Sequence, residues 1–213
     1  MNDLRIHKTA RYAIFGNPET ATTVWIVLHG YGQLSEYFIR KFHCLDPTKN
    51  FLIAPEGMHR FYLEGSSGRV GASWMTKEAR EADIADNMNY LNQLWDTVAQ
   101  NYNFTNKVLL GFSQGGATAA RWHELGNYKA AYFVLWASVF PPDLQFEPKK
   151  NAFVNSKNYF VLGNDDPYYD ASKRSEMLAS IAPLGFAQLS FEGRHSIDAE
   201  KLLEIEEEIN NVL

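Results

Sequence analysis

A serine flanked by glycines follows an apolar run near the middle of the chain. Residues 111–116 read GFSQGG, residues 107–110 before them are mostly apolar, and a helical pattern begins at Gln114. A G-x-S-x-G sequence between a strand and a helix makes a turn so tight that a side chain at either glycine would collide with its neighbours. Because such a turn raises the serine hydroxyl above the sheet, the pattern predicts that Ser113 is a nucleophile.

A serine hydroxyl is a weak nucleophile at neutral pH and needs a base. His195 lies between the last apolar run and the last helical pattern, and it follows Ser113 in the chain. Triads on strand–helix folds of this kind run in the order Ser, acid, His. The order therefore favours His195 as the base. His29 precedes Ser113, and we expect it to shape its own loop and not to take the proton.

The acid that orients the base should follow a strand between these two residues. Asp170 directly precedes a helical pattern and is typical of a helix N-cap. Asp165 follows Asn164 and is typical of a turn. Asp166 precedes Pro167, which restricts it to extended conformations. We therefore predict Asp166 as the acid, with Asp165 as the alternative.

Acyl transfer also requires hydrogen-bond donors for the negative charge that develops on the carbonyl oxygen. One donor is usually the N–H that follows the nucleophile, here Gln114, and the other comes from a loop after an early strand. Residues 28–32 read LHGYG and supply such a loop, in which the glycines allow close approach. We predict the N–H groups of Tyr31 and Gln114 as the oxyanion hole.

An irregular aromatic stretch and the segment after the acid are the candidates for the substrate pocket. Residues 54–75 contain no clear periodicity, and long irregular loops on such scaffolds often line the site. No spacing of His or Cys suggests a metal site, and the chemistry requires no cofactor. The predicted substrate-binding residues are Phe61, Tyr62, Trp74, Met75 and Tyr168.

Apolar runs alternate with helical patterns along the chain, which indicates an α/β fold. Nearly continuous apolar runs are typical of strands covered on both faces. We predict a mostly parallel central sheet of about seven strands, helices on both faces, and one domain over residues 1–213 without a large cap. The predicted strands are residues 11–15, 23–28, 51–54, 107–110, 130–137, 159–162 and 187–191, and the helices are 35–45, 76–100, 114–125, 171–182 and 197–213.

Charge and composition exclude several classes of protein. The chain has 20 Lys and Arg against 25 Asp and Glu, and no basic stripe suggests nucleic-acid binding. The longest apolar run, residues 130–140, is about half of what spans a bilayer. Residues 1–15 contain no apolar signal-peptide core, and Cys44 is the single cysteine. These features predict a cytoplasmic protein without an integral membrane segment, and its aromatic content of 14 % is compatible with a monomer or a homodimer.

Five short motifs, in order, resemble the phospholipase/carboxylesterase family of α/β-hydrolases. They are LHGYG at 28–32, SWM at 73–75, GFSQGG at 111–116, GNDDP at 163–167 and GRHS at 193–196. The resemblance implies a small lidless serine esterase, related to the acyl-protein thioesterases, that cleaves esters, thioesters or lysophospholipids. It also implies that the family's aspartate before proline falls on Asp166. One residue separates Gly193 from His195, where two are common in the family.

A second hypothesis is that the chain has this fold but catalyses no reaction. Receptors and sensors for small molecules can be built on the α/β-hydrolase scaffold, with triad residues used only for binding. Every predicted catalytic position in this sequence carries a competent residue, and this favours the enzyme.

Overall fold

A seven-stranded sheet forms the centre of the molecule. The computed structural model describes residue 2 and residues 4–99, 102–145, 147 and 150–211. A separate two-stranded hairpin, β4 and β5, lies beside the sheet. The strands are β1 (Tyr12–Phe15), β2 (Thr23–Leu28), β3 (Asn50–Pro55), β4 (His59–Glu64), β5 (Ser67–Ser73), β6 (Asn106–Phe112), β7 (Tyr132–Trp136), β8 (Lys157–Gly163) and β9 (Ala187–Phe191).

The strand order places the ends of β2 and β6 side by side. The order in the sheet is β1-β3-β2-β6-β7-β8-β9, and only β1 runs antiparallel to its neighbour. From β2 the chain goes first to β3 on one side and later to β6 on the other. Since crossover connections are right-handed, this reversal puts helices on both faces of the sheet. The carboxyl ends of strands at such a switch point are where α/β proteins bind their ligands.

Helices cover the sheet, as the alternating pattern predicts. They are α1 (Ser35–Phe38), α2 (Arg80–Ala99), α3 (Gln114–Leu125), α4 (Ala171–Ile181) and α5 (Ala199–Asn210). Two N-caps explain where the last two begin, because the Asp170 carboxylate accepts the Lys173 N–H and the Asp198 carboxylate accepts the Lys201 N–H. The described part of the chain has no large cap domain. Gln100 and residues 212–213, at the ends of two predicted helices, lie outside the described residues.

The aromatic content is used mainly in the core. All residues of β2, β3 and β7 are buried, as expected for central strands covered on both faces. Four tryptophans belong to the largest fully buried side chains. Nearly all buried apolar side chains of the described residues belong to one contiguous cluster. Within the part of the chain that the structure describes, no helix combines the length and the apolar character needed to cross a bilayer.

The predicted helix over residues 35–45 is wrong. The chain forms a single α-helical turn, α1, followed by a 3-10 turn at Ile39–Phe42. Ile39, Phe42 and Leu45 are buried at a spacing of three, and a three-residue repeat keeps side chains on one face in a 3-10 helix. Leu34 occupies the N-cap position of α1, and the N–H and the hydroxyl of Ser35 both donate to the Glu56 carboxylate.

The interpretation of residues 54–75 as an irregular loop is also wrong. These residues contain the antiparallel pair β4 and β5, with a register shift between Tyr62 and Glu64. Gly65 and Gly68, at the tip, have φ angles of 59° and 87°. These angles are in the left-handed region that glycine adopts without a steric cost. The irregular composition of the tip and the register shift hide the alternation that would have indicated strands.

His123 on α3 is a fully buried histidine. Its Nδ1 accepts the Ala130 N–H at 3.3 Å, its Nε2 lies 3.2 Å from the Ser156 hydroxyl, and its ring stacks on Phe133. Burial, and secondarily the positive charge of Lys129, lowers the pKa of His123 to about 4. The folded protein therefore favours the neutral imidazole.

We expect His123→Gln to make stability less sensitive to acid. The unfolded chain binds this proton near pH 6.5, whereas the folded protein binds it only near pH 4. The contribution of the neutral imidazole to the free energy of unfolding is therefore complete above pH 6.5 and is lost as the pH falls to about 4. It amounts to roughly 3 kcal/mol. Urea denaturation at pH 7.0 and 4.5 measures this difference.

His7→Gln is the control, because His7 is exposed ahead of β1. The free energy of unfolding of His7→Gln should depend on pH in the same way as that of the wild type. Equal pH dependence of the wild type and His123→Gln would contradict this explanation.

Candidate active site

Ser113 occupies a strained turn between β6 and α3. Its φ and ψ angles are 52° and −123°, a conformation that is costly for a residue with a side chain. The Ser113 N–H donates to the Trp136 carbonyl at 2.9 Å, which ties the turn to β7. At Gly115 an added Cβ would lie 2.4 Å from the Leu28 carbonyl oxygen. The glycine therefore lets the first turn of α3 pack directly on the end of β2.

Three side chains from three loops form a hydrogen-bonded row. The Ser113 Oγ lies 2.9 Å from His195 Nε2, and His195 Nδ1 lies 2.7 Å from Asp166 Oδ2. The Asp166 carboxylate is buried. Because a carboxylate only accepts, Nδ1 carries the imidazole hydrogen, and Nε2 is then free to accept the serine proton. The side chain of Asp165 is exposed and is not part of this row.

Backbone bonds between two loops hold Asp166 beside His195. The Asp165 N–H donates to the Gly193 carbonyl at 3.0 Å, and the Asn164 N–H donates to Phe191 at 2.9 Å. The Trp136 indole N–H donates to the Ser196 carbonyl at 2.9 Å on the other side of His195. The loop that follows β9 is therefore fixed at both ends. Its single residue between Gly193 and His195 brings the imidazole within hydrogen-bond distance of the serine.

Two aromatic rings contact the imidazole of His195. The ring centroid of Phe112 lies 4.9 Å away and that of Tyr168 lies 4.7 Å away. The Tyr168 N–H also donates to Asp166 Oδ1 at 2.9 Å, so both carboxylate oxygens have a donor. Tyr168 thus contacts the row with its backbone and with its side chain.

The two predicted oxyanion donors lie at adjacent strand ends. Gln114 is the first residue of α3, and the first N–H groups of a helix have no acceptor within it. Its side chain fixes this turn, because Oε1 accepts the Trp74 N–H at 3.1 Å and Nε2 donates to the Met75 carbonyl at 2.8 Å. Tyr31 follows β2, and among the described residues no acceptor contacts its N–H.

A cleft of about 770 Å³ opens above these residues. Ser113, His195, Tyr31 and Tyr168 line it. Its far walls come from two segments that sequence reasoning missed, the loop after β7 and one face of α4. Their residues follow the three- and four-residue spacing of a helix face or stand in an irregular loop, so no motif marks them. The additional lining residues include Val139, Phe140, Pro142, Lys173, Glu176 and Met177.

Four of the predicted substrate-binding residues do not line the cleft. Trp74 is fully buried, and its indole N–H donates to the His29 carbonyl. Phe61 packs behind Tyr31, with ring centroids 5.1 Å apart. Tyr62 is exposed on β4. The Met75 sulfur lies 3.9 Å from the Arg121 guanidinium, outside the cleft. Phe61 and Trp74 therefore contact the loop that carries Tyr31 instead of forming the wall of the cleft.

A buried arginine holds the loop that forms the far wall. Arg121 on α3 makes two hydrogen bonds to Asp143, of 3.0 and 2.7 Å. This guanidinium holds the pKa of Asp143 well below its usual range. Since Asp143 directly follows Pro142, the helix that begins directly after Ser113 also positions the opposite side of the cleft.

The comparison with protein families decides the assignment. The model of the FSH1 serine hydrolase family matches residues 21–204, a range that contains every residue of the row. The chain belongs to the FSH1 serine hydrolase family. No curated protein matches the sequence.

Solved structures resemble this serine hydrolase in fold. A carboxylesterase from Mesorhizobium loti has a TM-score of 0.71 at 14 % identity, with 94 % of each chain covered. A Bacillus cereus carboxylesterase has a TM-score of 0.67 at 15 % identity, covering 96 % of this chain and 95 % of the other. Zea mays acyl-protein thioesterase 2 has a TM-score of 0.67 at 15 % identity, covering 95 % of this chain and 99 % of the other.

We expect Tyr168→Ala to lower the kcat/KM of this hydrolase by about 10-fold if His195 is the base as predicted, because the imidazole then loses a packing partner that holds it in the reactive geometry. Tyr168→Phe keeps the ring and should stay within about 2-fold of the wild type. Since Tyr168 is exposed, neither change should lower the melting temperature by more than about 2 °C. Equal activity of the Ala variant and the wild type would show that the ring has no such role.

Proposed function

We propose that this serine hydrolase cleaves carboxylic esters through an acyl-enzyme on Ser113. The observation that carries the proposal is the continuous row of hydrogen bonds from Ser113 through His195 to Asp166, with lengths of 2.9 and 2.7 Å. A serine, an imidazole and a buried carboxylate in this order have the geometry for nucleophilic catalysis with a general base.

In the first half of the reaction the Ser113 oxygen attacks the ester carbonyl carbon. The C–O bond to serine forms while His195 Nε2 takes the hydroxyl proton, and Asp166 stabilises the imidazolium. The carbonyl oxygen becomes an oxyanion that accepts from the N–H groups of Tyr31 and Gln114. The bond to the leaving alcohol then breaks, and His195 gives its proton to that oxygen.

In the second half water releases the acid. His195 takes a proton from water as the water oxygen attacks the acyl carbon, and the bond to Ser113 then breaks as the proton returns to the serine oxygen. Thioesters follow the same steps with a thiol as leaving group. The protein's own groups complete the cycle, so the reaction proceeds without a metal or a cofactor.

The walls of the cleft suit an ester whose acyl or alcohol part is apolar. Val139, Phe140, Pro142 and Met177 give it an apolar surface beyond the serine. Apolar pockets with a few convergent polar groups are typical of small-molecule sites.

We propose that residues 1–213 act as one catalytic domain. The cytoplasmic location and the choice between monomer and homodimer stay predictions.

Ser113→Ala should lower ester hydrolysis by more than about 10⁴-fold while the protein remains folded. A fluorophosphonate probe should label the wild type, and mass spectrometry should locate the adduct on Ser113. The variant should remain unlabelled. Circular dichroism checks the fold. A folded wild type that binds esters tightly, turns none over and takes no label would instead favour the binding-protein hypothesis.

Asp166→Asn should lower kcat by about 10³- to 10⁴-fold, because an amide in place of the carboxylate no longer holds the imidazole in the required tautomer. Asp165→Asn is the matched control. The Asp165 side chain is exposed, and only its backbone N–H joins the two loops. Its activity should remain within about 2-fold of the wild type. A larger loss for Asp165→Asn than for Asp166→Asn would exchange the two roles.

A further inference from the structure

A second buried histidine, His29, lies behind the loop that carries Tyr31. Its Nε2 accepts the Gly57 N–H at 2.9 Å, and its Nδ1 lies 2.8 Å from the Gly30 carbonyl oxygen. A backbone N–H can only donate, so Nε2 must carry the lone pair. The ring hydrogen of the neutral imidazole is therefore on Nδ1, which donates to the Gly30 oxygen.

The Gly30 carbonyl and the Tyr31 N–H belong to the same peptide unit. This unit is planar, and in the trans form its C=O and N–H point in opposite directions. A hydrogen bond that holds the Gly30 oxygen towards His29 therefore turns the Tyr31 N–H away from the core. On that side lies the cleft, which both Gly30 and Tyr31 line together with Ser113.

The neighbours of His29 hold its imidazole ring in one position. The ring lies 5.0 Å from Trp74 and 6.4 Å from Phe38, and the Trp74 indole donates to the His29 carbonyl at 2.8 Å. Burial lowers the pKa of His29 against the smaller opposing effects of the Gly30 bond and of Glu56. The imidazole therefore stays neutral, which the bond from Gly57 requires.

The same loop is fixed on its other side by Gln33. The Gly30 N–H donates to Gln33 Oε1 at 2.9 Å, and the Gly32 N–H donates to the Ala72 carbonyl of β5 at 2.8 Å. The peptide that carries the Tyr31 N–H is thus held at its carbonyl by His29 and by the Gln33 N–H, which donates to the Gly30 oxygen at 3.2 Å, and it is held before and after by two further bonds. Of the two donors to that carbonyl, His29 makes the shorter hydrogen bond and is the one that donates from a side chain, which a substitution can remove.

We propose that His29 is a positioning residue for the reaction, which aims the Tyr31 N–H at the oxyanion through the Gly30 carbonyl. This inference rests on the proposed function. A histidine that merely fills the core would contribute to stability alone. A histidine that orients an oxyanion donor contributes to the transition state, where the charge develops, and hardly to the binding of the uncharged ester.

His29→Leu and His29→Gln separate these roles. Leucine fills the space but cannot donate to Gly30 or accept from Gly57. Glutamine retains one donor and one acceptor. With p-nitrophenyl butyrate, we expect His29→Leu to lower kcat about 10- to 100-fold with KM within about 3-fold. His29→Gln should recover at least about 3-fold of that loss. The affinity for an alkyl trifluoromethyl ketone, which forms a tetrahedral adduct, should fall in step with kcat/KM.

His123→Leu is the matched control, because His123 is equally buried and also accepts a backbone N–H, but within the described part of the chain its ring contacts Phe133, Phe153 and Ser156 and no residue of the site. It should lower the melting temperature and leave kcat within about 2-fold. A kcat for His29→Leu no lower than that of His123→Leu would overturn the inference, and so would a loss confined to KM. If His29→Leu does not fold, the kcat and KM of His29→Asn and His29→Gln are compared with those of His123→Leu in its place.

The outcomes also distinguish this inference from the proposed function. If Ser113→Ala keeps its activity, the proposed function fails whatever the His29 variants do. If Ser113→Ala is inactive and His29→Leu matches the control, the reaction stands and only the role of His29 is rejected.

Discussion

The first turn of α3 packs against the backbone at the end of β2, and the rest of the site depends on this contact. Gly115 leaves no room for a Cβ beside the carbonyl oxygens of Leu28 and His29. Because the helix starts that close to the neighbouring strand, Ser113 must adopt a positive φ angle. The same contact brings the N–H groups of Gln114 and Tyr31 to one edge of the sheet. A single steric constraint therefore positions Ser113 and both proposed donors together.

The loops around this contact are held by hydrogen bonds that leave little freedom to reorganise. The Gln114 amide joins the turn to the segment that follows β5, His29 joins the loop that carries Tyr31 to Gly57, and Arg121 joins α3 to the far wall. Pre-oriented dipoles of this kind stabilise developing charge without having to reorient during the reaction. The apolar walls of the cleft strengthen this stabilisation of charge, because electrostatic interactions are screened less where water is excluded.

Errors in the sequence interpretation fall where short-range patterns are ambiguous. Residues 35–45 carry apolar side chains at spacings that suit both an α-helix and a 3-10 turn. Ser35 also forms a buried hydrogen bond with Glu56, which is distant in the sequence, so no local pattern indicates it. Trp74 and Met75 stand close in sequence to the site, but their side chains point into the core and towards α3. The α4 wall has no motif, since its residues acquire a common role only when the helix packs beside the loop that follows β7.

The sequence by itself determined the type of fold, the order of the central strands along the chain, and the three side chains that the structure brings into one row. It could do so because strand ends, glycine turns and the residue before a proline obey local steric rules. Only the tertiary structure decided which loop faces form the cleft, which aspartate oxygen meets the imidazole, and which tautomer His29 adopts. Those features depend on atoms that are distant in sequence and come within 3 Å of one another only after the sheet has assembled.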